Sequence, residues 1–181
     1  MRFVVLKAIL SIITMLCWLD IASAIQPEAQ QAVRVSNSQN ETETGYALTK
    51  LGVPLQRDIR GVVRWIEAAD GELSNEAMQY LPHLSELEWL EVGGGEVTPL
   101  GIKHLKGCSS LKRLYVHDID LTGDKLEWLS GLTNLEALSL QRTGIDGKAL
   151  ENLRALDTLV VLNLSGNDIS NEAVDQIARI K

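Results

Sequence analysis

The stretch YVHDIDLTGD, Tyr115 to Asp124, sets Asp118, Asp120, Thr122 and Gly123 at the spacing of the first half of a helix-loop-helix calcium loop. Such a loop also needs an aliphatic residue at position 8 and a bidentate acid at position 12, and the chain has Lys125 and Leu129 there. The match is read as turn chemistry, with Thr122 as a helix cap and Asp124 in a first helical turn. Glu72, Glu96, Asp120 and Asp168 form a second acidic set, read as a solvated rim rather than a metal site. GGGEVTPLG, Gly93 to Gly101, lacks the lysine of a phosphate-binding loop. His83, His104 and His117 share no spacing, and no HExxH, GxSxG or Cys–His pairing is present. No metal, no cofactor and no catalysis are expected.

The ends of the chain carry different information. Residues 1–24 have the layout of a secretory signal peptide: Arg2 and Lys7, an apolar run from Ala8 to Leu19, then Ala22-Ser23-Ala24. An uncleaved membrane anchor is the rival reading, but Asp20 interrupts the run, so no stable membrane insertion is expected after cleavage. Loss of Arg2, Lys7 and Asp20 takes the net charge from −7 to −8, which argues against a nucleic-acid partner. Cys17 leaves with the leader, so Cys108 has no intramolecular disulfide partner. Residues 25–45, rich in Gln, Asn, Ser, Thr and Glu, read as a flexible linker.

What must position any functional side chain is a repeat. Stretches beginning at Val63, Leu87, Leu111, Leu135 and Leu159 follow one another every 24 residues without insertion. Each has apolar residues at offsets 0, 3, 5 and 10 and again at 15, 18 and 21. Offsets 3 and 5 alternate as in a strand with one buried face, whereas 15, 18 and 21 recur on one helical face. Ser74, Thr98, Thr122, Asp146 and Ser170 share offset 11, where a helix N-cap belongs. Each repeat is therefore predicted to be a strand, a turn and a short helix, and Cys108 to be core packing. Stacked neighbours share one core.

The pattern resembles leucine-rich-repeat proteins, most closely the exported bacterial type with 24-residue repeats. The resemblance implies an α/β solenoid, a short right-handed horseshoe segment with a parallel sheet on its concave face and helices outside. It covers residues 63–181 as five repeats, preceded by an N-terminal cap over 46–62 in which Leu48, Leu51, Val53, Leu55 and Ile59 would cover the core. The family's turn asparagine occurs once, as Asn167; Gly71, Gly95, Ile119 and Thr143 stand in its place, so the side-chain ladder is expected to be mostly missing.

On the sheet face away from the core, offsets 2, 4 and 6 gather Trp65, Glu67, Trp89, Glu91, Arg113, Tyr115 and His117 in the first three repeats. Trp, Tyr and Arg dominate interface energetics, and family members usually bind on this face. A protein-interaction module is the first expectation, with Arg113 lying over Trp89 as a cation–π pair. A carbohydrate or cell-wall binder using the same aromatic patch is the alternative, in a periplasmic or secreted location. The last strand, Leu159, Val160, Val161, Leu162, Asn163 and Leu164, is expected to pair with its copy in a homodimer.

Overall fold

The computed structural model describes residues 40–170. The chain divides into two compact units after Asn40, and all other described residues belong to the second, Glu41–Lys181. The leader, the linker up to residue 39 and the final helix predicted over 171–181 lie outside the described residues.

Six strands form one sheet in chain order: β1 (Leu55–Arg57), β2 (Val63–Ala68), β3 (Trp89–Gly93), β4 (Arg113–His117), β5 (Ala137–Gln141) and β6 (Val161–Asn163). From β2 onward the pairing is parallel and each residue faces the one 24 positions later, as in Trp65 to Trp89 to Arg113 to Ala137 to Val161. Equivalent side chains therefore stack in columns about 4.8 Å apart. All seven apolar positions in each of the first four repeats are buried. In the fifth, Leu159, Leu162, Leu164 and Ile169 are partly buried against the same core.

The connecting segments differ from one another. Repeats one and two carry single α-helical turns, α2 (Asn75–Met78) and α3 (Pro99–Ile102), after a helix α1 over residues 40–50. Ser74 caps α2 by accepting the Ala77 N–H, as its offset predicts. Thr98 precedes α3 but makes no such bond; Asn75 Oδ1 accepts its backbone N–H instead. Repeats three and four have only 3-10 turns, Glu127–Gly131 and Ala149–Ala155. Thr122 therefore caps no helix, and Asp124 accepts the Leu126 N–H at 2.6 Å in a turn. Leu126 takes a left-handed conformation, φ 56, which breaks the helix yet still buries its side chain.

The turn asparagine works where it occurs. Asn167 Oδ1 accepts the N–H of Thr143 and Gly144, and its Nδ2 donates to the carbonyls of Leu140 and Leu164. Elsewhere backbone groups bridge the coils directly: Gly94 N–H to His117 O, Asp118 N–H to Gln141 O, and Leu121 N–H to Thr143 O. Gly71 and Gly95 take positive φ and touch backbone to backbone, leaving no room for a Cβ on either.

The N-terminal cap departs from expectation in three ways. Residues 40–45, assigned to the linker, are already helical, and Thr44 and Gly45 are buried. The segment is held because Glu41 accepts the Ser85 N–H and hydroxyl, Thr49 donates to the Gly45 carbonyl, and Leu48 is fully buried. An unpredicted strand, β1, pairs antiparallel with β2. Ile59 is fully exposed because it sits at the tip of the turn joining them.

That turn is closed by Asp58. Its carboxylate accepts from the backbone of Arg60 and Val62 and from the guanidinium groups of Arg60 and Arg64. Both arginines also reach Glu86 at the end of the first repeat, and Arg64 pairs with Glu88. Burial acts to raise the Asp58 pKa, but the Val62 and Arg60 N–H groups and then the two guanidiniums outweigh it and hold the carboxyl well below the usual carboxylate range.

A depressed native pKa stabilises the fold above the unfolded value, near ~3.9, and that contribution is lost as pH falls. Asp58→Ala is thus expected to melt earlier than wild type at neutral pH and to lose less on acidification from about pH 5 to about pH 2. Parallel melting curves against pH in the two proteins would show that the turn carries no such linkage.

Candidate partner-binding face

Alternation along each strand decides which side chains leave the core. In β3, Leu90 and Val92 are buried while Trp89 and Glu91 stay partly exposed; in β4, Leu114 and Val116 are buried while Arg113, Tyr115 and His117 face outward. The register brings all seven residues predicted for this face into three adjacent columns. Trp65, Trp89 and Arg113 make the first, Glu67, Glu91 and Tyr115 the second, and Gly93 and His117 lie in the third.

The contacts within the patch differ from the expected ones. Trp89 meets Tyr115 edge to face, with ring centroids 6.1 Å apart at 72°. That ring, rather than the Arg113 guanidinium, packs on the indole, and Arg113 remains exposed. The reason is diagonal reach: Tyr115 stands one strand over and two residues on, where an aromatic side chain spans the gap and packs. The Trp89 Nε1 is buried with no acceptor among the described residues.

Glu67 and Glu91 are register partners, so two carboxylates stand on adjacent strands beside the two indoles. Gln56 from β1 donates to Glu67 at 3.0 Å, and His117 Nε2 lies 3.5 Å from Glu91. The His117 ring covers Gly93, where a Cβ would collide with it. Its Nδ1 lies 3.0 Å from Asp118, whose two oxygens accept a fork of bonds from Arg142 at 2.7 and 2.6 Å. The Arg142 guanidinium, and then His117, hold the Asp118 carboxyl well below its usual range against desolvation. Asp118 and Arg142 both sit at positive φ, where the neighbouring repeats have Gly94 and Gly166. Their ion pair offsets a backbone cost of about 1–2 kcal/mol per residue only in part, because both are exposed.

These contacts bear on the calcium-loop match. Asp118 is engaged by Arg142, Asp120 accepts the Thr122 N–H, and Leu121 and Leu129 are fully buried. Among the described residues no group of three or more His, Cys, Asp or Glu side chains can hold a metal ion. Cys108 is buried, which pushes its thiol up to about 12.

Gln56, Asp118 and Arg142 are the members of the site that sequence reasoning missed. Asp118 and Arg142 lie 24 residues apart, so extending the column arithmetic to offset 7 would have paired them. Nothing in the sequence marks Gln56, because β1 stands outside the repeat.

Facing carboxylates repel, and like charges directly opposite on adjacent strands destabilise by roughly 0.2–1 kcal/mol. Glu67→Gln keeps an acceptor for Gln56 and removes the repulsion, so it should raise the melting temperature slightly at low salt, with the gain shrinking at high salt. A lower melting temperature at both ionic strengths would mean that the Glu67 charge is stabilising instead.

No protein-family model and no curated protein matches the chain. Among solved structures it is similar to an internalin, a leucine-rich-repeat protein, from Listeria monocytogenes strain 4b F2365, at a TM-score of 0.54 and 22% identity. The match covers 70% of this chain and 37% of that one, so the chain spans little more than a third of the length of its neighbour. At this identity the likeness concerns architecture, and it agrees with the in-register sheet: the chain has an α/β fold of the leucine-rich-repeat kind.

Proposed function

We propose that the chain is an exported, non-catalytic protein-interaction module that binds its partner on the outward face of the sheet. On this reading that face is the concave side of a short right-handed solenoid of 24-residue repeats. The observation that carries the proposal is the pairing of Trp65 with Trp89 in one column, beside Glu67 and Glu91 in the next. Half-buried indoles offer large apolar area at small entropic cost, and the carboxylates suit a basic side chain of the partner. The leucine-rich-repeat fold supports a binding role by analogy. Among the described residues no helix is long and apolar enough to cross a membrane.

The same indoles and carboxylates support the second reading, a carbohydrate or cell-wall binder. A glycan array run beside cross-linking to envelope proteins separates the two. With a partner in hand, Trp65→Ala/Trp89→Ala should weaken binding by several kcal/mol, order of magnitude ~2–4, while the circular dichroism spectrum is kept. Unchanged affinity would move the site off this face.

Self-association through the last strand is a separate proposal. Among the described residues β6 is the last strand of the sheet, and Val160 and Val161 are 84% and 58% exposed. Val160 ends a column whose other members, Arg64, Glu88, Lys112 and Glu136, are charged. An exposed strand edge flanked by valines favours pairing with a second copy over solvation. Analytical ultracentrifugation should find a dimer that Val161→Lys converts to monomer; a wild-type monomer at high micromolar concentration ends the proposal.

A further inference from the structure

On the helical side of the coils, a groove of about 560 Å³ opens between the second and third repeats. Its rim carries Lys103 and Lys106 from the 3-10 turn Lys103–Gly107, and Lys125 from the next coil. Gly123, Asp124, Glu127 and Trp128 complete the lining. The groove coincides with the place where the coils change form. Repeats one and two stack α2 against α3, whereas the third repeat has only the turn around Gly123 and Leu126, both at positive φ.

The charge here runs against the rest of the molecule. The chain is acidic, with a net charge of −7. Arg60, Arg64, Arg142 and Lys112 are each paired with carboxylates, whereas Lys103, Lys106 and Lys125, like several other bases of the surface, make no ion pair among the described residues. Asp124 and Glu127 also line the groove, so three lysines against two acids leave it a formal charge of +1. Three ammonium groups around one groove repel one another, and an anion between them relieves that repulsion.

The surroundings are built rather than loose. Asn152 Nδ2 holds the Lys125 carbonyl at 2.6 Å, and Gly131 packs so closely on the Lys106 carbonyl that a Cβ would run into it. Trp128, in the wall, is only 3% exposed, and its indole Nε1 is buried with no acceptor among the described residues.

We infer that this groove binds a small ligand bearing a tetrahedral oxyanion, a phosphate or sulfate ester, with Lys103, Lys106 and Lys125 as its counter-charge. Lysine binds such groups as a flexible point charge, which suits side chains carried on two neighbouring coils. The site is independent of the sheet face and of any protein bound there.

The test is a titration of the nitrogen-15-labelled whole chain, followed by the amide signals of residues 123–128 and the Trp128 indole signal. Glucose 6-phosphate is expected to shift these signals and glucose is not. Lys103→Gln/Lys106→Gln/Lys125→Gln should weaken binding at least about tenfold, while Lys50→Gln/Lys112→Gln/Lys148→Gln, which removes equal charge elsewhere, stays within about twofold. Phosphatidylcholine vesicles with and without phosphatidylglycerol separate the sources. Adsorption to the anionic vesicles that only the groove variant loses places the oxyanion on a lipid, and no adsorption places it on a free ester. Equal responses to glucose and its phosphate, equal losses in the two variants, or no shift with any probe would overturn the inference.

Discussion

Parallel strand pairing at a constant step of 24 residues is the constraint from which the rest follows. It turns a one-dimensional sequence into a grid in which every residue has a neighbour 24 positions on either side. The inward columns must then be continuously apolar, because one polar residue would face apolar neighbours in two coils. The outward columns are free of that demand, and there the chain places Trp65, Trp89, Glu67, Glu91, Arg113 and Tyr115. A one-residue slip of any one strand against its neighbour would turn that strand's buried side chains to the opposite face.

The two ends of the grid are closed differently. At the start, β1 runs antiparallel to β2, the Asp58 turn ties Arg60 and Arg64 to Glu86, and Arg64 also reaches Glu88, so the first repeat is bonded to its cap and to the coil after it. The mixed direction satisfies the edge of β2 with backbone hydrogen bonds, and α1 seats Leu48 over the end of the core. At the other end the described core thins from fully to partly buried side chains between Leu135 and Leu159. Stability is therefore unevenly distributed along the axis, as expected when coils touch only their neighbours.

Periodicity made the core legible. Leu114 and Leu138 occupy the same column because they occupy the same offset, and no structure is needed to pair them. The outward columns were legible for the same reason, down to Trp65 beside Trp89. What periodicity cannot carry is the choice between helix and turn: Ile102 and Leu126 share offset 15 and are both buried, yet one ends an α-helical turn and the other takes φ 56. Nor can it reach beyond the repeat. The three residues of β1 offer too little alternation to read as a strand, and the partners of residues 40–45 lie in the coils they cover. The contact of Trp89 with Tyr115 instead of Arg113 depended on side-chain reach, which column membership leaves open.

The Asp58 turn also gives the molecule a mechanical polarity. Pulled by its ends, a stack of coils yields where the fewest bonds must break at once. Among the described residues the first repeat is held by a strand, a helix and a web of charged hydrogen bonds, whereas the three-residue β6 pairs with β5. Among the described repeats the capped one should then extend last, each released repeat adding about 80 Å of contour length. Such a stack behaves as a ratcheted spring anchored at one end, shedding length in equal increments while the capped end keeps its shape.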